Sequence, residues 1–137
     1  MTNSAEQLQA FIRSNHRGVL ATLRRDGRPQ LSPVLVATDD DGSLVISTRE
    51  STAKVANVRR TGWASVCVFN DQFFGDWVQA EGPATVESMP GALDGLVRYY
   101  KLIAGEHPDW DDYRAAMHRE RRVLIRIAIA LAAPTLS

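Results

Sequence analysis

Residues 44–60 read LVISTRESTAKVANVRR, and the reading of this stretch decides how the rest of the chain is arranged. Leu44, Val45 and Ile46 open it as an apolar run, and Ser47, Thr48 and Arg49 turn it polar. Ser51 and Thr52 are residue types that cap helices. Val55 and Val58 then recur at helical spacing around the small Ala56. The pattern predicts a strand that feeds directly into a short helix over Ser51–Arg60. Arg49, Lys54, Arg59 and Arg60 stand against one acid, Glu50, which leaves a local charge of +3. Spare backbone N–H groups at a helix start, hydroxyls and flanking cations make a sensible phosphate cradle. The competing reading is a surface helix with solvated basic residues. On the residues alone, that plainer reading is the stronger.

Upstream, Ser4–Ser14 reads as a helix. Ser4 and Gln7 have capping-box spacing, and Leu8, Phe11 and Ile12 share one face. His16 reads as a polar residue at the helix–strand junction rather than a catalyst. Gly18–Leu23 is a strand, Asp26-Gly27 a hairpin signal, and Gln30–Thr38 the returning strand. Pro33 inside that strand predicts an edge, a bulge or an interruption. Asp39–Gly42 (DDDG) reads as a solvated hairpin tip, because the downstream ligands of an EF-hand are missing. Ser43–Thr48 is the third strand.

Downstream, Thr61-Gly62 stops the helix, and Trp63–Phe69 and Asp76–Val86 are strands around a polar and aromatic loop. Alternation puts Trp77, Gln79 and Glu81 on one face and Val78 and Ala80 on the other. Gly82-Pro83 predicts a bulge or sharp bend of the kind that curls a sheet into a barrel. A helix runs from Pro90 or Gly91 to Ala104, with Leu93, Leu96, Val97 and Tyr100 on one face. Asp109–Arg119 is a second helix, whose Trp110, Tyr113, Ala116 and Met117 read as a core or interface stripe. Arg121–Ala133 is the last strand, covered on both faces, and the final residues read as frayed. Trp63, Val66, Val68, Val78 and the Ile125–Ile129 run are expected in the core or on its covered face.

These pieces predict a mainly β fold with helices (α+β), a small antiparallel barrel in a single domain over residues 1–137. Apolar residues make up 45% and charged residues 23%, values of an ordinary soluble domain. The formal net charge is zero, so strong binding to nucleic acid or an anionic membrane is not expected. The one cysteine, Cys67, sits in a strand and reads as an inert thiol. It admits no internal disulfide, which fits a reducing compartment. The start of the chain lacks a basic-then-apolar leader pattern, and no apolar run is long enough to span a membrane. The expected location is cytoplasmic. No Cys/His cluster has metal-ligand spacing, and Rossmann, P-loop and serine-elbow motifs are absent. Catalytic residues are not legible.

The order of pieces resembles the split β-barrel flavin- and deazaflavin-binding family related to pyridoxamine 5′-phosphate oxidase. More narrowly, it resembles the actinobacterial F420-dependent oxidoreductases. The likeness rests on GVLATLRRDGRPQLSPV (Gly18–Val34), STRESTAKVANVRRTGWASVCV (Ser47–Val68) and DWVQAEGPATV (Asp76–Val86), with the middle motif the most diagnostic. The resemblance implies the PNPOx-like FMN-binding fold and a homodimer with cofactor sites at the interface. By motif it sets Thr48, Arg49, Ser51, Thr52 and Lys54 near a phosphate, with Lys54 the strongest. Asn57 also matches, for structure or for binding the cofactor tail. Ser32, Pro33 and Val34 pass the ring system, and Trp77 and Gln79 approach from the neighbouring subunit. The implied activity is hydride transfer from reduced coenzyme F420 to a small conjugated acceptor. The alternatives are an FMN-dependent oxidoreductase and a flavin- or deazaflavin-binding carrier without turnover. A true pyridoxamine phosphate oxidase is less expected, because the long substrate-binding extension is lacking.

Overall fold

A computed structural model describes residues 3–134. The chain begins with α1 (Ala5–Ser14), β1 (Arg17–Leu23), β2 (Pro29–Leu35), β3 (Ala37–Thr38) and β4 (Leu44–Arg49). It continues with α2 (Ala53–Thr61), β5 (Trp63–Phe69), β6 (Trp77–Glu87), α3 (Leu93–Ala104), α4 (Trp110–Arg119), β7 (Arg122–Ile127) and β8 (Leu131–Ala133). The expected frayed end, residues 135–137, lies outside the described residues. The strands run β2-β1-β5-β6-β7-β4-β3, all antiparallel, with β8 added to β6. This is the split antiparallel half-barrel with helices that the sequence predicts.

β6 joins the two halves of the sheet. Its first part pairs with β5 as far as Trp63↔Pro83, and its second part pairs with β7 from Ala84↔Ile127 onward. The bend falls at Gly82-Pro83, as expected. Only glycine fits there, because a Cβ on Gly82 would lie 1.9 Å from the Ala128 carbonyl oxygen. The chain crosses at that point through Ala128 N–H to Pro83 O and Ala130 N–H to Glu81 O, both 2.9 Å. That crossing corrects the expected single strand over Arg121–Ala133, which is broken into β7 and β8.

The alternation of β6 holds: Val78 and Ala80 are fully buried while Trp77 and Gln79 are exposed. With Leu20, Val66, Val68, Ile125 and Ile127 they fill the barrel, which α1 caps with Leu8 and Ile12 and α2 with Val55 and Val58. Burying each such side chain stabilises by about 1.5–3 kcal/mol. Trp63 is only half-buried and lies outside this cluster, on the rim of the sheet. β4 and β7 are buried on both faces. Ile46 and Ile125 point into the barrel, while Val45 and Leu124 pack under α3 and α4 with Leu96, Tyr113 and Met117. The capping box on α1 forms as read, with Gln7 N–H on Ser4 Oγ (3.1 Å) and Ser4 N–H on Gln7 Oε1 (2.8 Å).

The expected strand over Gln30–Thr38 is interrupted at Val36. There the backbone makes its last bond in the β1–β2 register, Val36 N–H to His16 O (2.7 Å), while His16 Nδ1 meets Val36 O (2.8 Å), and from Ala37 the chain pairs with β4 instead. β2 is a sheet edge, which explains why Pro33 is tolerated. A second correction concerns the acidic turn. Asp40 and Asp41 are exposed, but Asp39 is buried at 7% exposure. It accepts Arg98 Nε (3.0 Å) and pairs with Arg126 Nη1 (2.9 Å), and Arg126 also reaches Glu87 (2.8 Å). α3 and β7 are thereby tied to the β3–β4 turn.

The Arg98 and Arg126 guanidiniums beside Asp39, together with the Asp40 N–H, hold its carboxyl down at about 2, against an ordinary 3.8. A carboxylate with a depressed folded-state pKa stabilises fully above about pH 4, and that stabilisation drains away as pH falls toward about 2. Asp39→Asn is expected to cost about 2–4 kcal/mol in urea unfolding at pH 7. The gap between variant and wild type should narrow as pH falls from about 4 toward 2. A gap that stays constant over that range would show that the network contributes through packing rather than charge.

Candidate functional site

Thr52, extended at φ −78°, ψ 154°, takes the N-cap position of α2, so the helix starts at Ala53 rather than Ser51. Its hydroxyl does not cap. It donates instead to Arg49 O (3.0 Å) and lies 3.4 Å from Thr48 Oγ1, which is itself buried. The first turn of α2 therefore keeps N–H groups that no side chain satisfies, at the positive end of the helix dipole. Gly62, in the left-handed region at φ 66°, closes the helix.

The basic residues of the stretch divide by partner. Arg59 is paired with Glu50 and Arg49 with Glu120 at 3.7 Å, and Arg60 donates to Leu23 O and to Asn57 Oδ1 (3.1 Å). Among the described residues Lys54 has no carboxylate partner and no side-chain hydrogen bond. It is half-buried, and burial together with the neighbouring Arg122 charge lowers its ammonium below the ordinary 10.5. An unpaired, partly desolvated cation one residue into an uncapped helix is a position that an anion would relieve.

Lys54 opens into a cleft of about 860 Å³. One wall is formed by β1 and β2, with Val19, Pro33 and Leu35 on their outer face and Val34 from the side that packs on the barrel core. The other is α3 and α4, with Tyr99, Tyr100, Tyr113 and Met117. Phe69, Arg17, Ser47, Glu120 and Arg122 complete the lining. Tyr99 donates to Leu35 O (2.9 Å), bridging the walls, and Tyr113 donates to Leu96 O (2.8 Å). Burial pushes the Tyr113 phenol up to about 12, so it stays protonated.

Of the residues singled out in the sequence, Pro33, Val34 and Lys54 meet in this cleft. Thr48, Arg49, Ser51 and Thr52 surround the start of α2 without lining it. Ser32 bonds to Gln30 (3.0 Å). The Asn57 amide is buried on Thr22 Oγ1 (3.1 Å), an anchor between α2 and β1. Trp77 and Gln79 stand on the exposed outer face of β6, with Gln79 on Ser65 (3.0 Å). Sequence reading did not single out Tyr99 or Arg122, placed Tyr100 on the apolar face of its helix without a role in a site, and took Tyr113 and Met117 for a core or interface stripe. Their one signal was a tyrosine pair on an amphipathic helix, which does not say what it faces. Cys67 is half-buried, and burial pushes its thiol up, as befits an unreactive group. Among the described residues, no group of three His, Cys, Asp or Glu could hold a metal, and no helix is long and apolar enough to cross a membrane.

The chain belongs to the pyridoxamine 5′-phosphate oxidase family, whose model matches residues 4–134. It is similar to the solved structure of a conserved hypothetical protein from Mycobacterium tuberculosis, at 25% identity and a TM-score of 0.77, over 98% of this chain and 91% of that one. It is also similar to an F420 reductase, at 17% identity and a TM-score of 0.70, over 91% and 94% of the two chains. The haem storage protein HutZ from Vibrio cholerae matches at 12% identity and a TM-score of 0.71, over 93% and 92%. The last two likenesses are of fold alone. The resemblance read in the sequence therefore holds for the split-barrel flavin and deazaflavin family, without selecting its F420 branch.

Because Lys54 is desolvated beside Arg122 with nothing to neutralise it, Lys54→Met should not weaken the fold. Urea unfolding is expected to show stability unchanged, or raised by up to about 1 kcal/mol. A clear loss of stability would make Lys54 a structural residue and remove it from the site.

Proposed function

We propose that the cleft takes a phosphorylated flavin-type cofactor and that the protein is an FMN-dependent oxidoreductase acting on a small conjugated organic molecule. The observation that carries this reading is the unpaired Lys54 at the uncapped start of α2, opening into an aromatic-walled cleft. The α2 N–H groups and Lys54 hold the phosphate, with Thr48, Arg49, Ser51 and Thr52 at its margin. Ser32, Pro33 and Val34 lie along the ring system. When bound, FMN supplies the redox chemistry itself. The residues of the chain bind it, orient it against the acceptor and exclude water.

Coenzyme F420 is the second reading, favoured by the likeness of the 47–60 motif to F420-dependent oxidoreductases. A carrier without turnover is the third. It draws on the cleft's committed groups: the Tyr99 and Tyr113 hydroxyls are bound to backbone carbonyls, and Glu120 is paired with Arg49 and Arg122.

The partner reading is a homodimer that closes the cleft. Leu31 and Leu35 of β2, Phe69 of β5 and Trp77 of β6 are large apolar residues exposed on one sheet face, and Leu35 and Phe69 also line the cleft. A second copy on that face would bring Trp77 and Gln79 toward the site. Sedimentation equilibrium is expected to give about twice the 15.2 kDa chain mass; a strict monomer at micromolar concentration would remove the interface model.

Fluorescence titration of the apoprotein with FMN and with F420 tests the cofactor. Saturable FMN binding with reduction of conjugated acceptors is expected. F420 binding without FMN binding would favour the second reading, and binding without turnover across a broad acceptor panel the third. Lys54→Met should weaken FMN about ten- to a hundredfold and riboflavin much less, because the lost contact is to phosphate. Equal weakening of both ligands would contradict the phosphate assignment.

A further inference from the structure

The five-residue loop between β1 and β2 is closed by a bond between its ends into a tight turn over residues 25–27. Arg24 N–H bonds to Arg28 O (2.9 Å), Gly27 N–H bonds to Arg24 O (3.0 Å), and Gly27 takes φ 83°. That left-handed residue fixes how the turn presents Arg24 and Arg25. Opposite them runs the face of α2 that carries Ala53, Ala56, Asn57 and Arg60, at helical spacing and on a different side from Lys54. Between turn and helix lies a groove of about 470 Å³, lined by the three arginines with Ala53 and Ala56 as a small, open floor.

The charge in this groove is unbalanced. Its one acid, Asp26, is already held by Arg28, through an ion pair of 2.8 Å and the Arg28 backbone N–H at 3.0 Å. Those bonds keep the Asp26 carboxyl below its ordinary range. Arg28 does not line the groove, and its pairing with Asp26 leaves three arginines against one partly neutralised acid there. Among the described residues the Arg24 and Arg25 side chains form no ion pair and no hydrogen bond, although the Arg24 charge helps to lower the Asp26 carboxyl. Arg60 is oriented by Leu23 O and by Asn57 Oδ1 (3.1 Å), and its Nε and Nη1 remain without a protein partner. Asn57 is itself fixed on Thr22 (3.1 Å), so Arg60 is braced against the sheet. Elsewhere Arg17, Arg49, Arg59, Arg98, Arg114, Arg122 and Arg126 each form an ion pair with a carboxylate, whereas Arg13, Arg119 and Arg121 form none among the described residues.

We propose that this groove is a second anion site, separate from the cleft, and that it takes a small oligophosphate such as pyrophosphate or the diphosphate of a nucleotide. Guanidinium forks match phosphate oxygens in pairs, and arginines on opposite walls can serve adjacent phosphates. The net charge of zero argues for a small ligand over a nucleic acid, which needs basic surface well beyond one groove. The proposal stands independently of the identity of any cleft cofactor.

Isothermal titration of the full chain with inorganic pyrophosphate at low salt tests it. A saturable site with a Kd below about 1 mM is expected that survives Lys54→Met, apart from any pyrophosphate taken up at the phosphate cradle of the cleft. Arg24→Gln with Arg25→Gln should weaken it about tenfold or more, while Lys54→Met leaves it unchanged. Ala56→Glu, which sets an acid on the exposed groove floor, should abolish it. Unchanged thermal unfolding would show that these surface variants fold. Absence of saturable binding, equal binding in the double arginine variant, or loss of binding in Lys54→Met would each overturn the proposal. The last result would assign pyrophosphate to the cleft.

Discussion

One bent strand makes the architecture possible. β6 spends its first half in the ladder with β5 and its second half in the ladder with β7, and Gly82 lets the chain cross at the corner because it carries no side chain. Without that corner the two sheet halves would continue as one open, twisted sheet. With it, the half bearing β1 and β2 and the half bearing β4 and β7 face each other. Residues far apart in sequence, such as Leu20, Val66 and Ile125, then share one core. The start of α2, at the end of β4, is carried up beside the outer edge of β2.

A second constraint is electrostatic. α3 and α4 are an excursion between β6 and β7, and apolar packing alone would let such a layer slide. Asp39 pins it by holding Arg98 of α3 and Arg126 of β7 at once, with Glu87 of β6 taking the remaining face of Arg126. The cleft depends on this registration, since its far wall is the tyrosine face of those helices. Tyr99, bonded across to Leu35, closes the same wall from the side of β2. The polar network thus sets the width of the cleft while the apolar core sets its depth.

Such a fold does not dictate a chemistry. Chains of this architecture include an F420 reductase and a haem storage protein, so a shared barrel says little about turnover. Function has to be read from what the site leaves unsatisfied. Among the described residues half of the cations form ion pairs with acids, and some of those that do not line concave places. Lys54 stands at the mouth of an aromatic cleft, and Arg24 and Arg25 stand across a small groove from Arg60. Unpaired charge held in a concave place costs the protein stability or solvation, and a ligand is the natural compensation.

The sequence by itself determined the elements and their kind. Periodicity of two in Val78 and Ala80, periodicity of 3.6 in Leu93, Leu96 and Val97, the Ser4 capping box and the Gly82-Pro83 corner are local signals, because backbone geometry is local. The middle motif also pointed to Lys54, since a helix start and its charge are both written in one short stretch. Tertiary structure alone decided where the strands break, because past Val36 the chain exchanges the β1 ladder for that of β4, and the 128–130 link crosses Gly82. It alone showed Asp39 to be an anchor, since its partners lie 59 and 87 positions away. It alone brought Tyr99, Tyr100, Tyr113 and Arg122 to face Lys54. Amphipathic spacing shows that a helix has a buried side, but what that side meets depends on the path of the whole chain.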